Sequence, residues 1–131
     1  MPKAYLLDTN ALVFWSMRQV LSEKFLDVLD ERASNSLLMV CSVSFWEIAL
    51  LVKKGRIIIS DVESWTEDIL ATSGVVLIEP TWKEMLGSVA LKDIHKDPFD
   101  RLLVAICRSR KLELVTNDSI IPKYSVKTVW G

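Results

Sequence analysis

The sequence predicts an α/β fold, a three-layer α/β/α sandwich around a central parallel sheet of five strands. Short apolar runs at 4–7, 37–41, 75–78, 112–116 and 126–129 alternate with longer segments of helical period. Strands that alternate with helices pair in parallel, and the helices cover both faces of the sheet. Four acids, Asp8, Glu47, Asp100 and Asp118, fall where a strand yields to a helix or where a helix begins. In a parallel sheet such junctions share one edge, the edge where ligands bind.

Each element has a local cause. The first run, Ala4-Tyr5-Leu6-Leu7, ends in Asp8-Thr9-Asn10, all good capping types, and predicts a short helix near 11–16. Ser22 reads as the N-cap of a helix near 22–34, with Phe25, Leu26 and Leu29 on one face. After the second strand, the segment from Phe45 to Val52 is helical in period. Lys53 and Lys54 fill its last turn and Gly55 follows, as the helix dipole and a left-handed cap favour. A helix near 62–72 stops at Ser73-Gly74, the third strand follows, and Thr81 opens a helix running to about Leu91. Residues 92–96 form a polar connector. Pro98 takes the first position of a helix over 98–109, where its missing N–H costs nothing. No repeat, low-complexity stretch or linker interrupts the 131 residues, which predicts one domain, 1–131.

Half the residues are hydrophobic, yet no run approaches the roughly 18 apolar residues of a membrane span. Met1-Pro2-Lys3 leads straight into the first strand, which leaves no room for a secretory leader. Cys41 and Cys107 lie in apolar surroundings without metal-type spacing and read as small core residues of a reducing compartment. A cytoplasmic protein is expected. The net charge of −1 speaks against an obligatory nucleic-acid binder. Setting the four junction acids aside, however, leaves 16 basic residues against 13 acidic ones. Two clusters, Lys53/Lys54/Arg56 and Arg108/Arg110/Lys111, serve equally as solvated helix ends or as a basic surface. Charge therefore leaves a polyanionic substrate open.

Taken singly, each acid has an ordinary explanation. Asp8 caps a helix as well as Thr9 or Asn10 would. Ser44 to Glu47 fits the S-x-x-E capping box, as do Ser64 to Glu67 and, with threonine, Thr81 to Glu84. Glu47 differs because it stands among Phe45, Trp46, Ile48 and Leu50, where partial desolvation calls for a partner. Asp97 is a natural N-cap for the helix at Pro98, and Asp100 suits the positive helix end. Asp118 serves as a turn residue. Taken jointly, four carboxylates on one edge repel one another unless something positive sits between them. Hard oxygen ligands select Mg²⁺ or Mn²⁺ over zinc. The lone histidine, His95, cannot build a zinc site and reads as a loop residue. There is no Ser–His–Asp arrangement and no glycine-rich phosphate loop among only four glycines.

These segments resemble the PIN-domain ribonucleases, in particular the VapC-like toxins of bacterial and archaeal toxin–antitoxin pairs. Leu6-Leu7-Asp8-Thr9-Asn10-Ala11 is similar to the first acidic motif and Ser42 to Ile48 to the second. His95-Lys96-Asp97-Pro98-Phe99-Asp100-Arg101 resembles the third, in the subgroup carrying D-P-F-D-R, and Leu114 to Asp118 the fourth. The resemblance spans essentially the whole chain. It implies the strand order 3-2-1-4-5 and makes Asp8, Glu47, Asp100 and Asp118 the metal-binding and catalytic acids. Asp8 and Asp100 are expected to hold the central ion, Glu47 to act through water or as a base, and Asp118 to hold a more weakly bound ion. Asp97 is an accessory acid whose main duty is capping, and Thr116 is expected to steady a ligand or water. Arg101 is expected to contact phosphate or to pair with a neighbouring acid.

The function so implied is Mg²⁺- or Mn²⁺-dependent cleavage of an RNA substrate, with a cognate antitoxin and a homodimer as expected partners and no membrane. Of Trp15, Trp46, Trp65, Trp82 and Trp130, most are expected in the core, leaving one or two for a dimer seam or an antitoxin groove. A non-catalytic scaffold, a metal-binding regulatory domain and a DNA nuclease of the same architecture are the rivals. A receiver-type signalling domain would need an early acidic pair, and an aspartyl phosphatase a second Asp where Asn10 stands.

Overall fold

A computed structural model describes residues 2–131; Met1, part of the start read above as too short for a leader, lies outside them. Five strands, β1 (Tyr5–Leu7), β2 (Leu38–Cys41), β3 (Val76–Ile78), β4 (Glu113–Val115) and β5 (Thr128–Val129), form one sheet. Their order is β3-β2-β1-β4-β5 and each neighbouring pair is parallel. The helices are α1 (Thr9–Met17), α2 (Glu23–Ser34), α3 (Ser42–Lys53), α4 (Val62–Thr72), α5 (Trp82–Ala90) and α6 (Pro98–Arg110). A 3₁₀ turn at Ile121–Lys123 precedes β5. The predicted α/β fold and the strand order both hold.

Strand alternation divides the core in two. Tyr5 and Leu7 of β1, with Val115 of β4, face a cluster built from α1, α2, α3 and α4. Leu6 and Leu114 face the opposite cluster, built mainly on Leu102, Leu103, Ile106 and Cys107 of α6, with Ile121 and Tyr124. The helix α6 is apolar enough to be buried from Arg101 through Cys107 because α5 covers its outer side. Among the described residues, no helix is long and apolar enough to cross a membrane. Both cysteines are free and buried.

Several boundaries depart from the reading of the sequence. The helix α1 begins at Thr9, two residues early, because Asp8 itself is the N-cap and its Oδ1 accepts the Ala11 N–H at 2.7 Å. The strand β5 shrinks to two residues because the Val126 N–H turns to the Tyr124 carbonyl at 2.6 Å and leaves the ladder. Of the three S/T-x-x-E segments only Thr81 to Glu84 is a capping box. Ser44 is already inside α3, which leaves β2 without a loop, and Ser64 is inside α4, which Asp61 caps. Trp15 is buried and Trp65 and Trp130 pack against the core, whereas Trp46 and Trp82 are 61% and 65% exposed.

Candidate metal centre

The strand ends bring the four junction acids together, as parallel pairing requires. Asp8 follows β1, and Glu47 stands on the second turn of α3, directly after β2. Asp97 caps α6 by accepting the Phe99 and Asp100 N–H groups at 2.8 and 3.2 Å, which sets Asp100 in the first turn of α6. Asp118, just beyond β4, turns the chain by accepting the Ile120 N–H at 2.7 Å. Asp8, Glu47, Asp97, Asp100 and Asp118 all line one pocket of about 140 Å³, with Thr9, Asn10 and Asn117. Capping and pocket duties coincide in Asp8, Asp97 and Asp118, because the backbone amides use one carboxylate oxygen and leave the other for a second partner.

The pocket is short of positive charge. Among the described residues, no lysine or arginine lines it. Burial, followed by the charges of Asp97, Asp8 and Glu47 and opposed by His95, raises the Asp100 carboxyl to about 7. Burial also raises Asp8, against the hydrogen bonds of Thr116 and the Ala11 amide, with Asp118 adding to the rise. Glu47 is raised by burial, then eased by the Thr9 hydroxyl, which donates to its Oε1 at 2.5 Å. Asp118 moves the other way. Burial pushes it up, but the hydrogen bond of His95 and the Ile120 and Ile121 amides outweigh that.

Three neighbours complete the wall. Thr116 is buried and its Oγ1 accepts the Asp118 N–H at 3.1 Å, so it ties two of the acids together. Thr9, read from the sequence only as a capping type, anchors Glu47 and lies 3.3 Å from the buried Ser44 hydroxyl. His95, read only as a loop residue, places Nε2 2.9 Å from Asp118 Oδ2 and 3.2 Å from Asp100 Oδ2. Its sequence signal was slight, a histidine two residues before the N-cap of α6.

Arg101, expected to contact phosphate or to pair with a neighbouring acid, pairs with Asp93 and otherwise binds backbone carbonyls. It is 9% exposed, and its guanidinium donates to the carbonyls of Ser88, Val89, Leu91, Lys92 and His95 at 2.8–3.2 Å. Asp93 Oδ1 lies at 3.7 Å, a loose and exposed contact. Arg101, one residue after Asp100, faces another side of α6 and does not line the pocket. It closes the C-terminal end of α5 instead.

The donor set fits a hard divalent cation. Five carboxylates offer it hard oxygens, and burial together with the charges of its neighbours drives Asp100 toward neutrality. A larger cleft of about 590 Å³ between α5 and α6 has no such convergence; its one acid, Glu84, is bound in both oxygens by Arg110 at 2.8 Å.

The PIN domain family model matches residues 5–127. No curated protein sequence matches the chain. Similar solved structures include VapBC2 from Rickettsia felis bound to a DNA fragment from its promoter, at TM-score 0.73 and 19% identity, covering 98% of this chain and 99% of that one. DNA-bound VapBC from Salmonella typhimurium aligns at TM-score 0.69 and 15% identity, covering 98% of both chains. FitAcB from Neisseria gonorrhoeae aligns at 0.62 and 16%, covering 95% of each. At such identities the likeness is one of fold.

Proposed function

This chain belongs to the PIN-domain family, and from that premise we propose that it is a Mg²⁺- or Mn²⁺-dependent endoribonuclease, the toxin member of a toxin–antitoxin pair. The convergence of Asp8, Glu47, Asp97, Asp100 and Asp118 on one pocket carries the reading. Asp8, Asp100, Glu47 and Asp118 would hold the ion or ions. When bound, a divalent ion supplies positive charge for a phosphodiester oxygen and makes an attacking water more acidic.

The chain's own residues preset that chemistry. The Ala11 amide fixes the Asp8 carboxylate, and the first turn of α6 places the Asp100 backbone at the pocket, so the negative charge is in position before substrate binds. Glu47, held by Thr9 and raised by burial, is a stronger base than an ordinary carboxylate and is suited to accept a proton. Asp97 adds negative charge from the N-cap, and Thr116 steadies Asp8 and Asp118.

We place the whole chain in one domain, 1–131, in the cytoplasm, which the two buried free cysteines support. An antitoxin partner is supported by the fold likeness to chains of VapBC and FitAcB. A homodimer is supported by an apolar row on α5, where Trp82, Leu86 and Val89 are 65%, 64% and 78% exposed.

Matched RNA and DNA substrates, incubated with Mg²⁺, Mn²⁺ or a chelator, test the reaction. RNA cleavage that chelation stops and Asp8→Asn abolishes is the expected result. Cleavage that survives chelation refutes the metal requirement, and preferential cleavage of DNA identifies the DNA nuclease instead. Silence toward both nucleic acids leaves the non-catalytic scaffold.

A further inference from the structure

We propose that His95 is a positioning residue of the acidic pocket, a hydrogen-bond donor that fixes Asp118, and that it is not a metal ligand. The inference rests on the metal-nuclease reading above. Its starting point is an ambiguity. The ligand-type atoms of His95, Asp100 and Asp118 lie within 4.8 Å of one another, a spacing that a three-ligand site would also show.

Counting protons on the ring separates the two roles. The Asp97 N–H donates to His95 Nδ1 at 3.1 Å, so Nδ1 must present its lone pair. A neutral imidazole carries one N–H, which therefore sits on Nε2. There it faces two carboxylates, and the nearer, Asp118 Oδ2 at 2.9 Å, accepts it. A ligand role would need the Nε2 lone pair, and any proton moved to Nδ1 would point at the hydrogen of the Asp97 amide. That amide belongs to the N-cap of α6 and would lose its partner in a half-buried place.

The backbone leaves the ring little freedom to rearrange. The His95 N–H donates to the Tyr124 hydroxyl at 2.8 Å, and its carbonyl accepts from Arg101 at 3.0 Å. Tyr124 in turn donates to the Lys92 carbonyl at 2.9 Å. The buried pair Arg101 and Tyr124 thus clamps both sides of the 92–96 connector, and the ring it presents is only 13% exposed. The third acidic segment of the sequence therefore acts through Arg101 at one remove: it holds the loop that holds the histidine. Asp118 is gripped on both oxygens, by Ile120 N–H on Oδ1 and by His95 on Oδ2, before any ion arrives. Orienting bonds of this kind contribute about 10- to 100-fold to metal affinity.

The chain has a single histidine, so ¹⁵N-histidine labelling and a long-range ¹⁵N–¹H correlation spectrum report its tautomer directly. We expect an unprotonated Nδ1 and a protonated Nε2, both without metal and at saturating Mg²⁺. Calorimetric titration should show Mn²⁺ affinity reduced about 10- to 100-fold in His95→Ala. His95→Gln, whose side-chain amide offers an N–H in place of Nε2–H, should bind Mn²⁺ close to wild type. A protonated Nδ1, a tautomer switch on adding Mg²⁺, or His95→Gln as weak as His95→Ala overturns the proposal. So does a His95→Ala protein that melts earlier but binds Mn²⁺ normally. Where wild-type protein takes up no Mn²⁺ at all, the metal-nuclease reading fails and this inference falls with it. Intact Mn²⁺ binding and RNA cleavage beside the wrong tautomer refute the inference alone.

Discussion

Asp100 gives the pocket a pH signature that can be read without substrate. Its carboxyl lies near 3.8 in the unfolded chain and at about 7 in the fold. Between those values the folded state binds the extra proton, so stability of the metal-free protein falls as pH rises. From pH 4 to 8 the expected loss is on the order of 4 kcal/mol. It should shrink in Asp100→Asn, where the raised Asp8 and Glu47 still contribute, and be reversed by Mn²⁺, as chemical denaturation at a series of pH values would show. A flat profile for metal-free wild type would remove the electrostatic case for the pocket. Asp8→Asn should lower cleavage by at least about 100-fold while the metal-free protein melts no earlier than wild type. Full activity in that variant at saturating Mg²⁺, with contaminating nuclease excluded, would reassign Asp8 to capping alone.

At the scale of elements, the informative contrast is among three segments with the same capping pattern. Thr81 to Glu84 forms the box because Thr81 precedes a helix that starts after a loop, and Glu84 reaches back to the Thr81 N–H at 2.9 Å. Ser44 to Glu47 does not, because α3 leaves β2 directly and frees Glu47 to face the pocket. Arg110 beside Glu84, with the Thr81 bonds, holds that carboxyl at about 2, below its ordinary 4.5. A lowered carboxylate stabilises the fold above its unfolded value and loses that contribution as pH falls toward the folded one. Glu84→Gln should therefore cost about 1–2 kcal/mol at pH 7, Arg110 being partly solvated, and much less at pH 2.5. Equal losses at both values would place the effect in packing rather than charge. Gly74, at φ +83°, marks the turn into β3, and a Cβ there would meet the Ala33 carbonyl oxygen at 2.8 Å. Gly74→Ala should destabilise by more than about 1 kcal/mol in urea unfolding.

Across the whole molecule, the two faces of the sheet are covered unequally. Four helices contribute to one core cluster, while α6, with α5 outside it, covers the other face. That leaves the outer side of α5 with Trp82, Leu86 and Val89 in solvent, one turn apart along the helix. If this row seats a second copy, Leu86→Glu should convert a dimer to a monomer at micromolar concentration in sedimentation, with cleavage by each protomer's own pocket retained. A monomeric wild type under the same conditions would remove the dimer from the proposal.

The sequence by itself determined the parallel α/β layout and the edge to which its acids must converge. Strand runs, helical periods and Pro98 after Asp97 are local signals, and parallel pairing sends each strand–helix junction to the same side. It could not say which of three capping patterns was a cap, because that depends on where the preceding strand stops. Nor could it tell that Arg101 turns inward and His95 reaches the pocket. Both follow from a connector folded back beneath Tyr124, 29 residues after His95 in the chain. Hydrogen bonds between residues so far apart leave no periodicity in the sequence, and only the packed fold selects them.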